Sequence, residues 1–508
     1  MWTLADCVRL NARRHPGRTA VVDDRGRLTH RELADRAHAI ARGLKAEGVR
    51  PGDHVGLLAG NSTFCVEAFL GTICAGAVAV LYNWRWATAE LVHGIASTDA
   101  HLVLVERDFT DALDAALATG DLDDDLRIYR QGEDFERLAR PGDSVDPQVG
   151  PQDPMCVLFT GGTTGFAKGV VLPHRSAMVN SINERLDTGM ASEAENVALT
   201  FTPLFHSAAL LCVFAPHYMS GGTNVLVHKF DEQHIAELVE REQVTTSFMI
   251  PNMVRRLLQA GVFETPGFQR HFRQLHTGGG QLRMPDKQAI RAAAPDVRLF
   301  FRYGLTEAGP MATRLLDGDI MRPELDGSIG QEYSMIEVAL TDQLTDEEVE
   351  PGELGEITLR GPGLMLGYYD RPNETDEALR EGWLRTGDLA VRDEEGYLVF
   401  RDRAKDMIKT GGENVYASEV EQALYTHPAV MECGVLGAPS AEWDEEVRAV
   451  IALRPDHEVT VDQLRVYLRD RLAGYKIPKR IEFMDPDTFP VNPSGKIVKS
   501  NLRRLVGW

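Results

Sequence analysis

The sequence has few cysteines, and they stand apart. The six, at positions 7, 65, 74, 156, 212 and 433 of 508 residues, form no Cys-x-x-Cys pair and no cluster with histidine. That argues against a disulfide framework and against a zinc site. Long hydrophobic runs are also missing. The most apolar stretch, Ala68–Tyr82, has 15 residues and contains two glycines, short of the ~20 that a spanning helix needs. The N-terminal segment lacks the charged-then-apolar pattern of a signal peptide. A cytoplasmic protein with no integral membrane segment is therefore expected. Positive charge is scarce as well: 54 Lys and Arg against 76 Asp and Glu give a net charge of −22. Nucleic acid and anionic membrane reward a basic surface, so neither is expected as the main partner. A small anion remains compatible, because glycine-rich loops can bind one locally on an acidic protein.

Lysine is rare: only ten of the 54 basic residues are lysine. A lysine supplies a compact, flexible point charge rather than a planar fork. Four of the ten, Lys168, Lys405, Lys409 and Lys496, fall in the segments singled out below.

The length suggests two to four domains at roughly 100–200 residues each. Over the first 400 residues, short apolar runs alternate with amphipathic stretches. HVGLLAG (54–60), AVAVLY (77–82) and HLVLVE (101–106) read as strands; VEAFLGTICAG (66–76) and ATAELVHGIAS (87–97) read as helices. A similar unit recurs with TNVLVH (223–228), DEQHIAELVEREQ (231–243), TTSFMI (245–250) and VRLFFRY (297–303). Such alternation implies parallel sheets with crossover helices. After about residue 320 the texture changes to short strands (SMIEVAL, GEITLR, GYLVFRD) between turns. After residue 404 comes a compact mixed unit, with NVYASEVEQALYTH and TVDQLRVYLRDRL as helices and ECGVLGAP, EVRAVIALR and RIEFM as strands. The main boundary is placed near Arg403–Lys405, giving domains 1–403 and 404–508. No long linker marks it, which favours a tight hinge at Lys405.

The densest chemical signal is FTGGTTGFAKGV (159–170). Backbone N–H groups of a glycine-rich turn can converge on phosphate oxygens. Thr160, Thr163, Thr164 and Lys168 would add donors and charge around Gly161, Gly162 and Gly165. Neither common phosphate-loop pattern fits: Lys168 is not followed by Ser or Thr, and the glycine spacing is not Gly-x-Gly-x-x-Gly. Further along, TGGGQL (277–282) allows close approach of a flat ligand. RYGLTEAGP (302–310) offers the ring of Tyr303 and the hard oxygens of Glu307, which suit magnesium bridging phosphates. Asp388, in a Thr-Gly-Asp turn, could accept from ribose hydroxyls, with Arg403 reaching the same nucleotide. Lys409 precedes a glycine pair, and Lys496 sits in the loop NPSGK before a short helix. His206, in TPLFHSAALLCVF (202–214), stands beside small and apolar residues. Each of these segments also has a plain structural reading as a turn, a cap or a surface lysine.

Taken in order, they resemble the ANL superfamily of adenylate-forming enzymes, in its acyl-CoA synthetase branch. The resemblance rests on Thr160-Gly-Gly-Thr-Thr-Gly-x-x-Lys168, PLFH, GGG, YGLTE, TGD, DRxKDxIKxGGxNV and PSGK, and it covers essentially the whole chain. It implies an α/β protein. A large N-terminal domain of layered αβαβα subdomains and a small β-barrel would be followed by a small, mobile α+β lid. It implies ATP, Mg2+ and CoA, and two half-reactions: carboxylate and ATP give acyl-AMP and pyrophosphate, then a thiol displaces AMP. Lys496 would bridge the carboxylate and the α-phosphate. Glu307, with Thr163, would hold Mg2+. Thr163, Thr164 and Lys168 would surround the β- and γ-phosphates. Tyr303 would stack on adenine beside Gly279, Gly280, Gly304 and Thr306, and Asp388 and Arg403 would fix the ribose. Lys409 would act in the thioester half, and His206 would line the acyl tunnel. Two positions depart from the usual pattern: Gly161 replaces a serine and Ala167 a proline.

No Asp or Glu occurs from Phe201 to Phe230. An unpaired buried ammonium would be costly, so an acyl or aryl acid is expected rather than an α-amino acid. CoA is the expected acceptor. A carrier-protein phosphopantetheine is the alternative, nitrite an alternative substrate, and a homodimer an open arrangement. Fatty acid metabolism is one setting the resemblance allows.

Overall fold

A computed structural model of the chain describes residues 2–160, 167–190, 196–410, 413–440, 442–455, 457–491 and 497–508. The chain divides into two compact units: residues 1–326, 330–338 and 359–384, and residues 327–329, 339–358 and 385–508.

The first unit contains the strands expected from the alternating pattern. Arg127–Arg130, Leu102–Val105, His54–Leu58, Val78–Leu81 and Pro154–Thr160 lie side by side in that order, all parallel. Lys168–Pro173 and then Gly367–Tyr368 continue this sheet in antiparallel sense. Leu102–Val105 and Val78–Leu81 are buried along their whole length. That is why they read as continuous apolar runs: helices cover both faces of a parallel sheet. The helix expected over 66–76 starts one turn earlier, as Thr63–Cys74, because the Ser62 side chain accepts from the Cys65 N–H and caps it.

A second run of strands in this unit is ordered Thr19–Asp23, Thr223–Leu226, Val197–Thr200, Thr246–Met249, Gln274–Gly278 and Arg298–Tyr303, again all parallel. Thr313–Leu315 adds to it antiparallel. Parallel strands put their C-terminal ends on one edge. In open α/β sheets that edge is where ligands bind.

In the second unit, Val430–Ser440 and Asp444–Leu453 form a long antiparallel pair, and Arg480–Phe483 runs parallel to the latter. Alternation along Asp444–Leu453 puts Val447, Ala449 and Ile451 in one core with Val420, Leu424, Leu464 and Leu468. It sends Val450 and Ala452 to the other face, against Phe489 and Leu502. One expectation needs correction. NVYASEVEQALYTH is not helical throughout: Asn414 and Val415 belong to the strand Glu413–Val415, paired with Ile408–Thr410, and the helix is Ala417–Tyr425. The pairing lets Val415 bury fully in the core, a tertiary gain that no local pattern shows. Among the described residues, no helix is long and apolar enough to cross a membrane.

Candidate active site

The glycine-rich segment joins two antiparallel strands, with Thr160 opposite Lys168 and Phe159 opposite Gly169. The next element in the chain is a strand, not a helix, which is why the two helix-opening phosphate patterns fail. A side chain at Gly169 would meet Val157 Cγ1 at 2.8 Å, so the strands close tightly only with glycine there. Thr160 and Lys168 are half-buried at the mouth of the hairpin. Gly161, Gly162, Thr163, Thr164 and Gly165 lie outside the described residues.

Three further segments leave the C-terminal edge of the parallel sheet in the same unit. One comes after Val197–Thr200 and carries His206. One comes after Gln274–Gly278 and carries Gly279 and Gly280. One comes after Arg298–Tyr303 and carries Gly304, Thr306 and Glu307. Gly278 is in register with Arg302, so the last two leave from neighbouring strand ends. Gly279 takes a φ of +73°, and a Cβ on Gly304 would sit 1.7 Å from the Pro310 carbonyl oxygen. The loops need glycine at both positions. Ser207 and Thr306 share a hydrogen bond of 2.9 Å, which joins the first segment to the third. His206 is half-buried against Phe205, their rings 4.4 Å apart. A buried π-helical turn, Leu210–Phe214, lies just beyond. Such turns recur at functional sites.

Glu307 sits in the turn Thr306–Ala308, and its Oε1 accepts from the Tyr368 hydroxyl at 3.0 Å. Burial first, and the adjacent Glu307 charge second, push the Tyr368 phenol above its ordinary range. It stays protonated and can only donate to the carboxylate. Lys168 Nζ lies 5.1 Å from the centre of the Tyr368 ring and 3.9 Å from Glu374 Oε1. Among the described residues, no three His, Cys, Asp or Glu side chains converge as a metal cage. A lone, half-buried carboxylate fits Mg2+ instead, which typically binds through one or two carboxylates plus substrate phosphates.

The remaining expected residues belong to the second unit. Asp388 and Arg403 are cross-strand partners, with Nε 3.3 Å from Oδ1. Lys405 lies in the short turn Ala404–Asp406. Lys409, exposed on Ile408–Thr410, donates its backbone N–H to Glu445 at 2.9 Å. Lys496 lies outside the described residues; Val491 and Ile497, which flank its loop, are bridged, and the helix Lys499–Val506 comes next.

Residues 8–369 match the AMP-binding enzyme family. The chain belongs to that family. Residues 419–496 match the AMP-binding enzyme C-terminal domain. The chain is 38% identical over 496 residues to feruloyl-CoA synthase of an Amycolatopsis species, covering 98% of this chain and 97% of that protein. It is 32% identical over 516 residues to the fatty acid–[acyl-carrier-protein] ligase ScoC of Streptomyces coeruleorubidus, covering 99% and 96%. Among solved structures, ATP-bound MatB from Rhodopseudomonas palustris matches with a TM-score of 0.88 and 27% identity, over 99% of this chain and 98% of that one. The expected α/β fold, with a large N-terminal and a small C-terminal part, is that of this AMP-binding enzyme.

Several residues near the site of this AMP-binding enzyme carry no motif of their own. Tyr368 and Glu374, in GYYDRPNE, reach the Glu307 and Lys168 side chains; a Gly-Tyr pair near a proline carried too little local signal to single out. Behind Tyr303 on the same strand, Arg302 is buried and ion-paired with Glu184, Nη1 to Oε1 at 2.6 Å. Arg302 also contacts His276 Nδ1 and donates to the Cys212 carbonyl at 3.3 Å. Burial, then the Arg302 charge, hold the His276 imidazole well below its ordinary range.

Proposed function

We propose that this chain is an AMP-forming acid–CoA ligase. The observation that carries the reading is the convergence, on one sheet edge, of segments bearing His206, Gly279–Gly280, Tyr303 and Glu307. A carboxylate and a triphosphate repel each other, so the site must supply positive charge and donors where charge builds at the α-phosphorus. Lys496 spans the carboxylate and the α-phosphate. Lys168, with Thr160, Thr163, Thr164 and the glycines between them, holds the β- and γ-phosphates. Mg2+, when bound with the nucleotide at Glu307 and Thr163, neutralises phosphate charge. Tyr303 stacks on adenine against Gly279, Gly280, Gly304 and Thr306, and Asp388 with Arg403 binds the ribose. A carboxylate oxygen attacks the α-phosphorus and pyrophosphate leaves. A thiolate then attacks the acyl carbon and AMP departs with the bridging oxygen. The chain turns at Lys405, between functional domains 1–403 and 404–508, so that Lys409 serves the second half.

The acid is apolar beyond its carboxylate. The segment past His206 carries no acidic residue up to Phe230. Val213, within it, packs with Ala198, Phe248 and Ile250. An aryl acid is the first candidate, supported by the feruloyl-CoA synthase relative, and a fatty acid the second. CoA is the acceptor. The carrier-protein ligase among the relatives favours a phosphopantetheine thiol as the second reading. The six cysteines are all buried free thiols, which supports a reducing, cytoplasmic setting.

The test is a mass spectrum of products from benzoic, cinnamic and short to long aliphatic acids, plus nitrite with an arylamine, each with Mg-ATP and with or without CoA. An acyl-CoA peak names the acid class. Acyl-AMP that accumulates and ignores CoA overturns the acceptor, and turnover with nitrite alone overturns the acid.

A further inference from the structure

Two groups placed at the phosphates are gripped by one short segment, Gly367 to Glu374. Glu307 Oε1 accepts from the Tyr368 hydroxyl at 3.0 Å, and its Oε2 has no partner among the described residues. Lys168 Nζ stands 5.1 Å over the Tyr368 ring, with Glu374 Oε1 at 3.9 Å. The backbone around Tyr368 is fixed on several sides. Gly367 and Tyr368 pair with Val171 and Val170 beside the glycine-rich hairpin. The Tyr369 N–H donates to the Gly169 carbonyl at 2.8 Å, and the Met365 N–H to the Glu307 carbonyl at 2.9 Å. The Tyr368 N–H donates to Thr375 Oγ1 at 2.9 Å. A side chain at Gly367, where φ is +149°, would meet Thr375 Cγ2 at 2.7 Å.

A phenol so anchored is a fixed point, and a carboxylate tied to it by one oxygen loses its freedom to swing. We propose that Tyr368 is the positioning residue of Glu307: its hydroxyl holds Oε1 and leaves Oε2 for the cation, while its ring face seats the Lys168 ammonium. The inference rests on the reading of Glu307 as the carboxylate that meets the divalent cation. Hydrogen-bond partners that orient a metal's carboxylate ligands typically change metal affinity by roughly 10–100-fold when removed.

The test is Tyr368→Phe, which deletes the hydroxyl and keeps the ring. The readout is Mn2+ binding, by electron paramagnetic resonance, to the enzyme with α,β-methylene-ATP, so that no turnover is needed. Expected is Mn2+ binding weakened by about 10-fold or more, with metal-free binding of the analogue and the melting temperature unchanged. Glu307→Gln is the reference and weakens Mn2+ at least as much. If Glu307→Gln weakens Mn2+ and Tyr368→Phe does not, the positioning role is overturned and the Glu307 reading stands. If neither does, the Glu307 reading itself falls. If Tyr368→Phe lowers the melting temperature and weakens the analogue equally with and without metal, Tyr368 is a packing residue and the proposal fails.

Discussion

Arg403 faces Asp388 across an antiparallel strand pair, its Nε 3.3 Å from Oδ1, with Asp388 buried and Arg403 half in solvent. The two residues expected to share one nucleotide are thus cross-strand neighbours, 15 positions apart in the chain. A half-exposed pair contributes little to stability, so the proposed ribose-binding role can be tested apart from folding. Asp388→Asn should raise the KM for ATP by about 10–100-fold, since a hydrogen bond to a charged group is worth ~1.5–3 kcal/mol. The melting temperature should stay close to wild type. Initial rates against ATP concentration, beside a thermal melt, check both.

Glu184 and Arg302 present the opposite case, because both are buried. Removing one partner of such a pair strands a charge, at a typical cost of about 3–5 kcal/mol. Glu184→Ala should therefore lower the urea unfolding midpoint sharply. The double variant Glu184→Leu with Arg302→Met should recover most of the loss. Equal destabilisation by the single and double variants would show that the pair's charge is not what matters.

Acid should destabilise the fold through buried histidines. Burial pulls His30, His174 and His217 down to about 4, below the usual ~6.5 of an unfolded chain. The unfolded state therefore takes up these protons first. Stability is lost as pH falls from about 6.5 towards about 4, with no further loss from these groups below that. At pH 5 each costs about 2 kcal/mol. His174→Leu should flatten the fall in melting temperature between pH 7 and pH 5. An unchanged slope would remove His174 from the account.

Lys496 and Lys409 should separate the half-reactions. Lys496→Ala should slow acyl-AMP formation by roughly 10²–10³-fold, the range for a lost transition-state donor, and spare thioester formation from supplied acyl-AMP. Lys409→Ala should show the reverse bias. Single-turnover assays of each half check the split, and equal loss in both halves contradicts the assignment.

Local sequence made the strands legible because buried parallel strands are short apolar runs, as in Leu102–Val105 and Val78–Leu81. It also made legible the loops bearing Gly279 and Glu307, because glycine and polar residues succeed the apolar strands Gln274–Gly278 and Arg298–Tyr303. It did not show what folding brings from afar. Tyr368 meets Glu307 across 61 residues, and Arg302 meets Glu184 across 118. Nor did it show that a strand comes after the glycine-rich loop, since KGVVLP is too short to distinguish a strand from a turn by period. Asn414–Val415 is drawn into a strand by pairing with Ile408–Lys409, out of the helical pattern, which the structure begins only at Ala417.

The central claim is that the acid is activated by bonding its own oxygen to the α-phosphorus. The direct measurement supplies a carboxylic acid labelled with 18O in both oxygens, with Mg-ATP and CoA, and weighs the nucleotide product. The account predicts AMP carrying one 18O atom, together with unlabelled pyrophosphate and acyl-CoA that keeps the other. Unlabelled AMP, or ADP with labelled inorganic phosphate, would contradict it.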